Sequence, residues 1–106
     1  MTWDQAEAYC VSQGSHLATI KDSTDRDETK ALCQSKSPTY GCWIGLHHED
    51  SASEWQWADG SSLDYAFDSN GNPTTGVDPW HTNEPNSDGE DCIHLLNSHY
   101  YNWNDK

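Results

Sequence analysis

Side chains that carry oxygen are concentrated in two short segments near the C-terminal end of the sequence. They are Glu84, Asn86, Glu90 and Asp91 in the first segment and Asn104 and Asp105 in the second. Calcium is a hard cation that takes about six to eight oxygen ligands from carboxylates, amide carbonyls and water, in a geometry that loops can supply. The two segments together favour a calcium site, although any one of these acidic residues taken singly is more typical of a solvated turn.

The charge of the chain excludes some partners and favours others. Its 106 residues include 18 Asp and Glu but only 5 Lys and Arg, which gives a formal net charge of -13. Nucleic acids and anionic membrane surfaces both require a positive protein surface, so neither is an expected partner, whereas cations are. Six tryptophans, five tyrosines and four cysteines are a poor match for a disordered acidic chain and predict one folded domain over residues 1–106.

The four cysteines indicate an oxidising compartment. Cys10, Cys33, Cys42 and Cys92 lack the close pairing of a zinc ribbon, so a disulfide framework is the expected use. No apolar run is long enough to cross a bilayer, and the opening residues have neither the basic segment nor the apolar stretch of a signal peptide. An extracellular location would therefore require a signal that lies outside this sequence.

The first predicted helix covers residues 2–13. Thr2 is its expected N-cap and Gly14 its expected terminator. Its apolar stripe comprises Trp3, Ala6, Tyr9 and Cys10. These features predict a short amphipathic helix that buries one side.

A second helix is predicted over "KDSTDRDETKALCQ". Its N-cap is expected to be Asp22 or Ser23, and its acidic first turn suits the positive end of the helix dipole. The residues expected to be buried are Ala31, Leu32 and Cys33.

Short strands are predicted for the rest of the chain. They are "CWIGL", "EWQWADG" with a turn at Asp59 and Gly60, "CIHLL" and "YYNWN". Between Leu63 and Trp80 the residues are mostly polar and rich in helix and strand breakers, which predicts a long loop, commonly a binding region. Two helices followed by short strands give an α+β domain.

Several motifs together resemble one known family. "TWDQAEAYC", "GSHLATI", "CWIGL", "WQWADGS", "EPN", "GEDCI" and "WND" occur in the order and approximate spacing of the C-type lectin-like domain. "EPN" followed by "GEDC" and "WND" is similar to the calcium-dependent, sugar-binding members. The resemblance implies a C-type lectin-like fold, with two helices packed on small antiparallel sheets and a long binding-loop region. The family's first and last strands are expected to be missing from residues 1–106.

The resemblance also implies a set of calcium ligands. They are Glu84, Asn86, Glu90, Asn104 and Asp105. In the family, the proline between the two loop ligands follows a cis peptide bond, so Pro85 is expected to be cis. Two vicinal sugar hydroxyls would bind the same ion, accept hydrogen bonds from Asn86 and Asn104, and donate hydrogen bonds to Glu84 and Glu90.

The order of acceptor and donor in "EPN" implies a class of sugar. It is the class with equatorial 3- and 4-hydroxyls, as in mannose, N-acetylglucosamine, glucose or fucose, rather than galactose. No residue set is arranged for bond cleavage, so no enzymatic activity is expected. The alternative is a C-type lectin-like module that binds a protein or ice through the same loops. Useful affinity for glycans would require several copies, so a larger or multivalent protein is expected.

The sequence departs from the family in the residues of a second calcium site. His48 and Ala52 stand where many members have an Asp and a Glu, so a second site is not expected, with Asp91 kept as an outer-shell candidate. A further departure is the insertion within Asp64–Pro79, whose Asp68 begins a pattern similar to an EF-hand loop. Because prolines replace two of the essential residues of such a loop, the interpretation is a series of Asx turns, with an extra calcium site as the alternative.

The resemblance implies a pairing for the cysteines. Cys33 and Cys42 would form an additional bridge, while Cys10 and Cys92 would pair with cysteines that follow Lys106 in the family. A Cys10 to Cys92 pair is the alternative. The implied location is extracellular, either secreted or as the ectodomain of a membrane protein.

The histidines form no zinc-binding pattern. His16, His47, His48, His81, His94 and His99 are predicted to lie mostly on the surface. His94 follows Cys92 by two residues and is a candidate to line the sugar site, with a core or edge position on its strand as the alternative.

Overall fold

The computed structural model describes residues 2–36, 41–48, 54–85, 92–95 and 101–106. In chain order the elements are α1 (Trp3–Ser12), α2 (Ser23–Lys36), β1 (Cys42–His47), β2 (Gln56–Trp57), β3 (Cys92–Leu95) and β4 (Trp103–Asp105). The α+β class is therefore confirmed. Among the four cysteines, all of which are described, the disulfide joins Cys33 to Cys42, as the family resemblance implied.

Helix α1 begins at a capping box. The Thr2 hydroxyl accepts a hydrogen bond from the Gln5 N–H at 3.2 Å, and the Gln5 side chain accepts one from the Thr2 N–H at 2.9 Å. Trp3 is buried and donates its ring N–H to the Ile44 carbonyl of β1 at 2.8 Å. The predicted burial of Tyr9 is wrong: it is 60% exposed, and the buried residues of α1 are Trp3 and Ala6.

Glu7 fastens α1 to the segment that follows it. Its carboxylate accepts hydrogen bonds from the Leu17 N–H at 2.9 Å and pairs with His16 Nδ1 at 2.6 Å. Burial alone would raise the pKa of the Glu7 carboxyl, but the hydrogen bonds from His16 and Leu17 outweigh it and hold the pKa below its usual value. The ionised form of Glu7 therefore stabilises the folded state.

Replacing Glu7 with glutamine is expected to lower the free energy of unfolding by about 1 kcal/mol at neutral pH. Because the folded-state pKa of Glu7 lies below the unfolded value of about 4.3, its contribution is complete above that pH and is lost as the pH falls through the folded-state pKa. Urea unfolding at neutral pH and near about pH 3 measures this difference. The matched control is Glu28→Gln on the exposed side of α2, and an equal loss in both variants would contradict the role of Glu7.

Helix α2 begins after Asp22, whose side chain accepts a hydrogen bond from the Asp25 N–H at 2.8 Å. Asp22 is thus the cap of the two candidates. Cys33 is 3% exposed, but the predicted burial of Ala31 and Leu32 is wrong, and Leu32 is 59% exposed. The disulfide turns the face that contains Cys33 toward the sheet, and at 3.6 residues per turn Ala31 and Leu32 then point outward.

The sheet has the strand order β2-β1-β3-β4, and every neighbouring pair is antiparallel. Ile44, Leu46, Ile93 and Leu95 from the two central strands are at most 1% exposed and form the centre of the core. Gly45 of β1 is required by a close approach, because a Cβ atom there would lie 2.9 Å from the Leu17 carbonyl oxygen. β4 occupies one edge of the sheet.

Residues 58–85 contain no α-helix and no strand longer than an isolated bridge. This confirms the predicted loop. Asp68 accepts hydrogen bonds from the Asn70 and Asn72 N–H groups at 2.9 and 3.0 Å, so the predicted Asx turns are present. The prediction missed that Phe67 and Trp80 within this polar stretch are buried in the core.

Candidate functional site

An aromatic cluster supports the loop that carries "EPN". The rings of Trp80 and Trp103 meet edge to face with their centroids 5.3 Å apart, and Phe67 packs on Trp80 at 6.2 Å. Trp80 is 2% exposed, and its ring N–H donates to the Ala66 carbonyl at 3.0 Å. Burial raises the pKa of the Tyr65 phenol, which packs against Trp103 on the other side. The loop is thus built on the strand that carries "WND".

Main-chain hydrogen bonds hold the loop along β4. The Trp103 N–H donates to the Pro79 carbonyl at 2.8 Å, and the His81 N–H donates to the Trp103 carbonyl at 2.9 Å. The Glu84 N–H then donates to the His81 carbonyl at 2.9 Å, and the Glu84 carbonyl accepts from the Gly76 N–H at 3.1 Å. These bonds join the start of "EPN" to the strand that contains Asn104.

Glu84 is the predicted loop ligand whose side chain the structure describes. It is 6% exposed, and the peptide bond between Glu84 and Pro85 is cis, as expected. Burying a carboxylate is costly unless cations or hydrogen bonds compensate it. The chemistry of this position therefore fits a hard cation that accepts oxygen ligands.

Asn104 is the predicted strand ligand whose side chain is described. It lies half-buried on β4, and its Nδ2 is 2.7 Å from His94 Nε2. The other candidates are only partly covered: Asn86, Glu90 and Asp91 lie outside the described residues, and for Asp105 only the backbone position in β4 is described. Within the described part of the chain, no group of three His, Cys, Asp or Glu side chains converges as a metal site.

Two of the histidines are buried: the expected surface position is wrong for His48, whereas for His94 the burial agrees with the core alternative. His48 is 7% exposed and meets the Trp55 ring edge-on at 4.1 Å, and His94 is 6% exposed with its ring 5.6 Å from that of Trp43. His48 directly follows β1, and His94 lies between Ile93 and Leu95 on β3, where it pairs with Trp43 and Asn104. Ala52 and His99 lie outside the described residues.

Two side chains of helix α2 contact residues of the loop and of the segment before β4, and the sequence did not predict these contacts. Arg26 binds the Asp78 carboxylate, and the Lys30 ammonium donates to the Asn102 side chain at 3.1 Å. Arg26 and Lys30 are four residues apart on the half-buried face of the helix. This spacing indicates that both side chains lie on one face of the helix. It does not identify their partners, which lie 52 and 72 residues away along the chain.

Comparisons with known proteins agree with this architecture. A family model for the Lectin C-type domain matches residues 1–106. The C-type lectin domain family 4 member F of Mus musculus is 33% identical over 109 residues, which cover 97% of this chain and 17% of that protein. The chain spans between 17% and 63% of the lengths of five curated relatives that it matches.

Solved structures of sugar-binding and other proteins share the fold. The carbohydrate-recognition domain of cow CD23, solved in the presence of a GlcNAc2Man3 oligosaccharide, has a TM-score of 0.72 at 29% identity, with 99% of this chain and 69% of that chain covered. A calcium-independent type II antifreeze protein has a TM-score of 0.73 at 30% identity, with 99% and 68% covered.

None of the helices in the described residues is long and apolar enough to cross a membrane. The family match extends over the whole sequence, and the order of helices, strands and loop agrees with it. The chain therefore belongs to the C-type lectin domain family, whose fold is that of a carbohydrate-binding module and not of an enzyme.

Proposed function

We propose that this domain binds calcium and, through it, sugars with equatorial 3- and 4-hydroxyls such as mannose. The proposed ligands are Glu84, Asn86, Glu90, Asn104 and Asp105. The observation that carries the proposal is the run of main-chain hydrogen bonds from Glu84 to His81 and from His81 to Trp103. This run connects the backbone of Glu84 to the strand that contains Asn104, which supports a shared site for these two proposed ligands.

The protein's own side chains would do most of the recognition. Carboxylates only accept hydrogen bonds, so Glu84 and Glu90 would each accept a sugar hydroxyl hydrogen, whereas the amides of Asn86 and Asn104 would donate to the same oxygens. Bound calcium would supply a further oxygen-seeking centre for the two hydroxyls. The glycan reported in the cow CD23 structure supports carbohydrate as the ligand class.

Retention on immobilised mannose tests the proposal. We expect retention in calcium, elution by a chelator, and weaker retention on galactose. Glu84→Ala should abolish retention, while Glu28→Ala, which removes an exposed carboxylate from α2, should leave it unchanged. Retention that survives the chelator, or that survives Glu84→Ala, would contradict the calcium mechanism.

A second candidate function is binding of a protein or ice without calcium. The similarity to a calcium-independent antifreeze protein favours this second function. Thermal hysteresis of ice growth in the presence of a chelator, together with no retention on either sugar, would support this candidate in place of the first.

We also propose an extracellular setting with several copies of the domain. The Cys33 to Cys42 disulfide is typical of oxidising compartments. One exposed saccharide makes few contacts, so linked copies would be needed for tight binding.

A further inference from the structure

His94 lies directly across the sheet from a proposed calcium ligand. In the register of β3 and β4 it pairs with Asn104, and in the register of β1 and β3 it pairs with Trp43. Asn104 Nδ2 lies 2.7 Å from His94 Nε2, and the Trp43 ring packs on the other side at 5.6 Å. Because His94 is also only 6% exposed, its ring is confined between these two neighbours.

The amide of residue 104 has two ends of similar size and opposite chemistry. Its Oδ1 is an acceptor and suits a cation, whereas its Nδ2 carries two hydrogens and would repel one. Calcium takes oxygen ligands. The rotation of this amide therefore decides whether Asn104 can bind the ion at all.

We propose that His94 is a positioning residue that holds the Asn104 amide with its oxygen toward the calcium site, an inference that rests on the proposed function. The 2.7 Å contact fits Nε2 as the acceptor of one Nδ2 hydrogen. In the neutral ring, the hydrogen of His94 then lies on Nδ1. Because the amide is planar, this bond turns Oδ1 away from His94. The second Nδ2 hydrogen is the one assigned above to a sugar hydroxyl. His94 acts on the sugar through Asn104 rather than by contact.

Nuclear magnetic resonance of the labelled full chain in a chelator tests the orientation without calcium. We expect the hydrogen of the His94 ring on Nδ1, and a scalar coupling across the hydrogen bond from Asn104 Nδ2 to His94 Nε2. A hydrogen on Nε2 would mean that the ring donates to Oδ1, which would overturn the proposal. This measurement decides the orientation even if the protein binds no calcium, in which case only the proposed function fails.

Calcium titration by calorimetry, without sugar, tests whether this orientation of the Asn104 amide strengthens calcium binding. His94→Phe keeps a ring against Trp43 but removes the acceptor, and we expect calcium affinity to fall by about threefold to tenfold. His94→Gln restores an acceptor and should recover most of the loss. Ile44→Val, a packing change in the buried centre of β1, should lower stability and leave calcium affinity unchanged.

The combination with Asn104→Asp separates orientation from packing. Both ends of a carboxylate are oxygens, so in that background His94→Phe should cause no loss of calcium affinity. An unchanged affinity for His94→Phe alone, or an equal loss in both backgrounds, would overturn the proposal.

Discussion

Trp80→Ala is expected to lower the free energy of unfolding by about 3 to 5 kcal/mol, the range for removing a large aromatic side chain from a core. Trp80 is 2% exposed, packs against both Phe67 and Trp103, and donates to the Ala66 carbonyl. Its loss would remove the ring packing between the loop and Trp103 of β4. Since small domains are stable by about 5 to 15 kcal/mol in total, much of the population would unfold on mild denaturation.

Urea unfolding and near-ultraviolet circular dichroism measure this effect. Val77→Ala is the matched control, since Val77 lies in the same loop but is 60% exposed, and its effect should stay within about 0.5 kcal/mol. Trp80→Phe keeps a ring but loses the ring N–H, so its loss of unfolding free energy should lie between those of Trp80→Ala and Val77→Ala. Equal stability of Trp80→Ala and Val77→Ala would show that the loop does not depend on this packing.

The double variant Glu84→Gln with Asn86→Asp is expected to reverse the preference from mannose to galactose. The exchange swaps the positions of donor and acceptor while the net charge of the pair stays the same, so calcium should still bind. Each mismatched hydrogen bond at a buried site costs about 1 to 3 kcal/mol, which corresponds to about fivefold or more in affinity. Competitive elution from immobilised mannose with each free sugar measures the reversal.

The single variants serve as controls for this exchange. Glu84→Gln alone removes a negative charge and should weaken calcium and both sugars together. Asn86→Asp alone adds a charge and should retain calcium. A double variant that binds calcium but still prefers mannose would show that contacts outside this pair determine selectivity.

Local features of the fold were predictable from the sequence because their causes are local. The capping of α1 by Thr2 depends on residues within one turn, and Asx turns at Asp68 depend on the next four residues. The exposed faces of the helices were not predictable in this way. Tyr9 and Leu32 lie outside because the helix orientations are determined by Trp3 and by the disulfide at Cys33.

In the candidate site too, residue types were predictable from the sequence, whereas contacts between distant residues were not. The residue types in "EPN" and "WND" and the family resemblance named the ligands, of which the structure describes the side chains of Glu84 and Asn104. The contact of His94 with Asn104 requires the order and register of the strands, and the bond from Arg26 to Asp78 joins residues 52 positions apart. Periodicity and composition contain no information on such long-range pairs.

Two hydrogen bonds of residue 84 belong to its backbone: its N–H donates to the His81 carbonyl, and its carbonyl accepts from the Gly76 N–H. Any amino acid other than proline can make them in the same backbone conformation. These two bonds therefore do not depend on which side chain residue 84 carries. Under the proposed function, a point mutation at residue 84 that changes the sugar preference would leave both main-chain bonds in place.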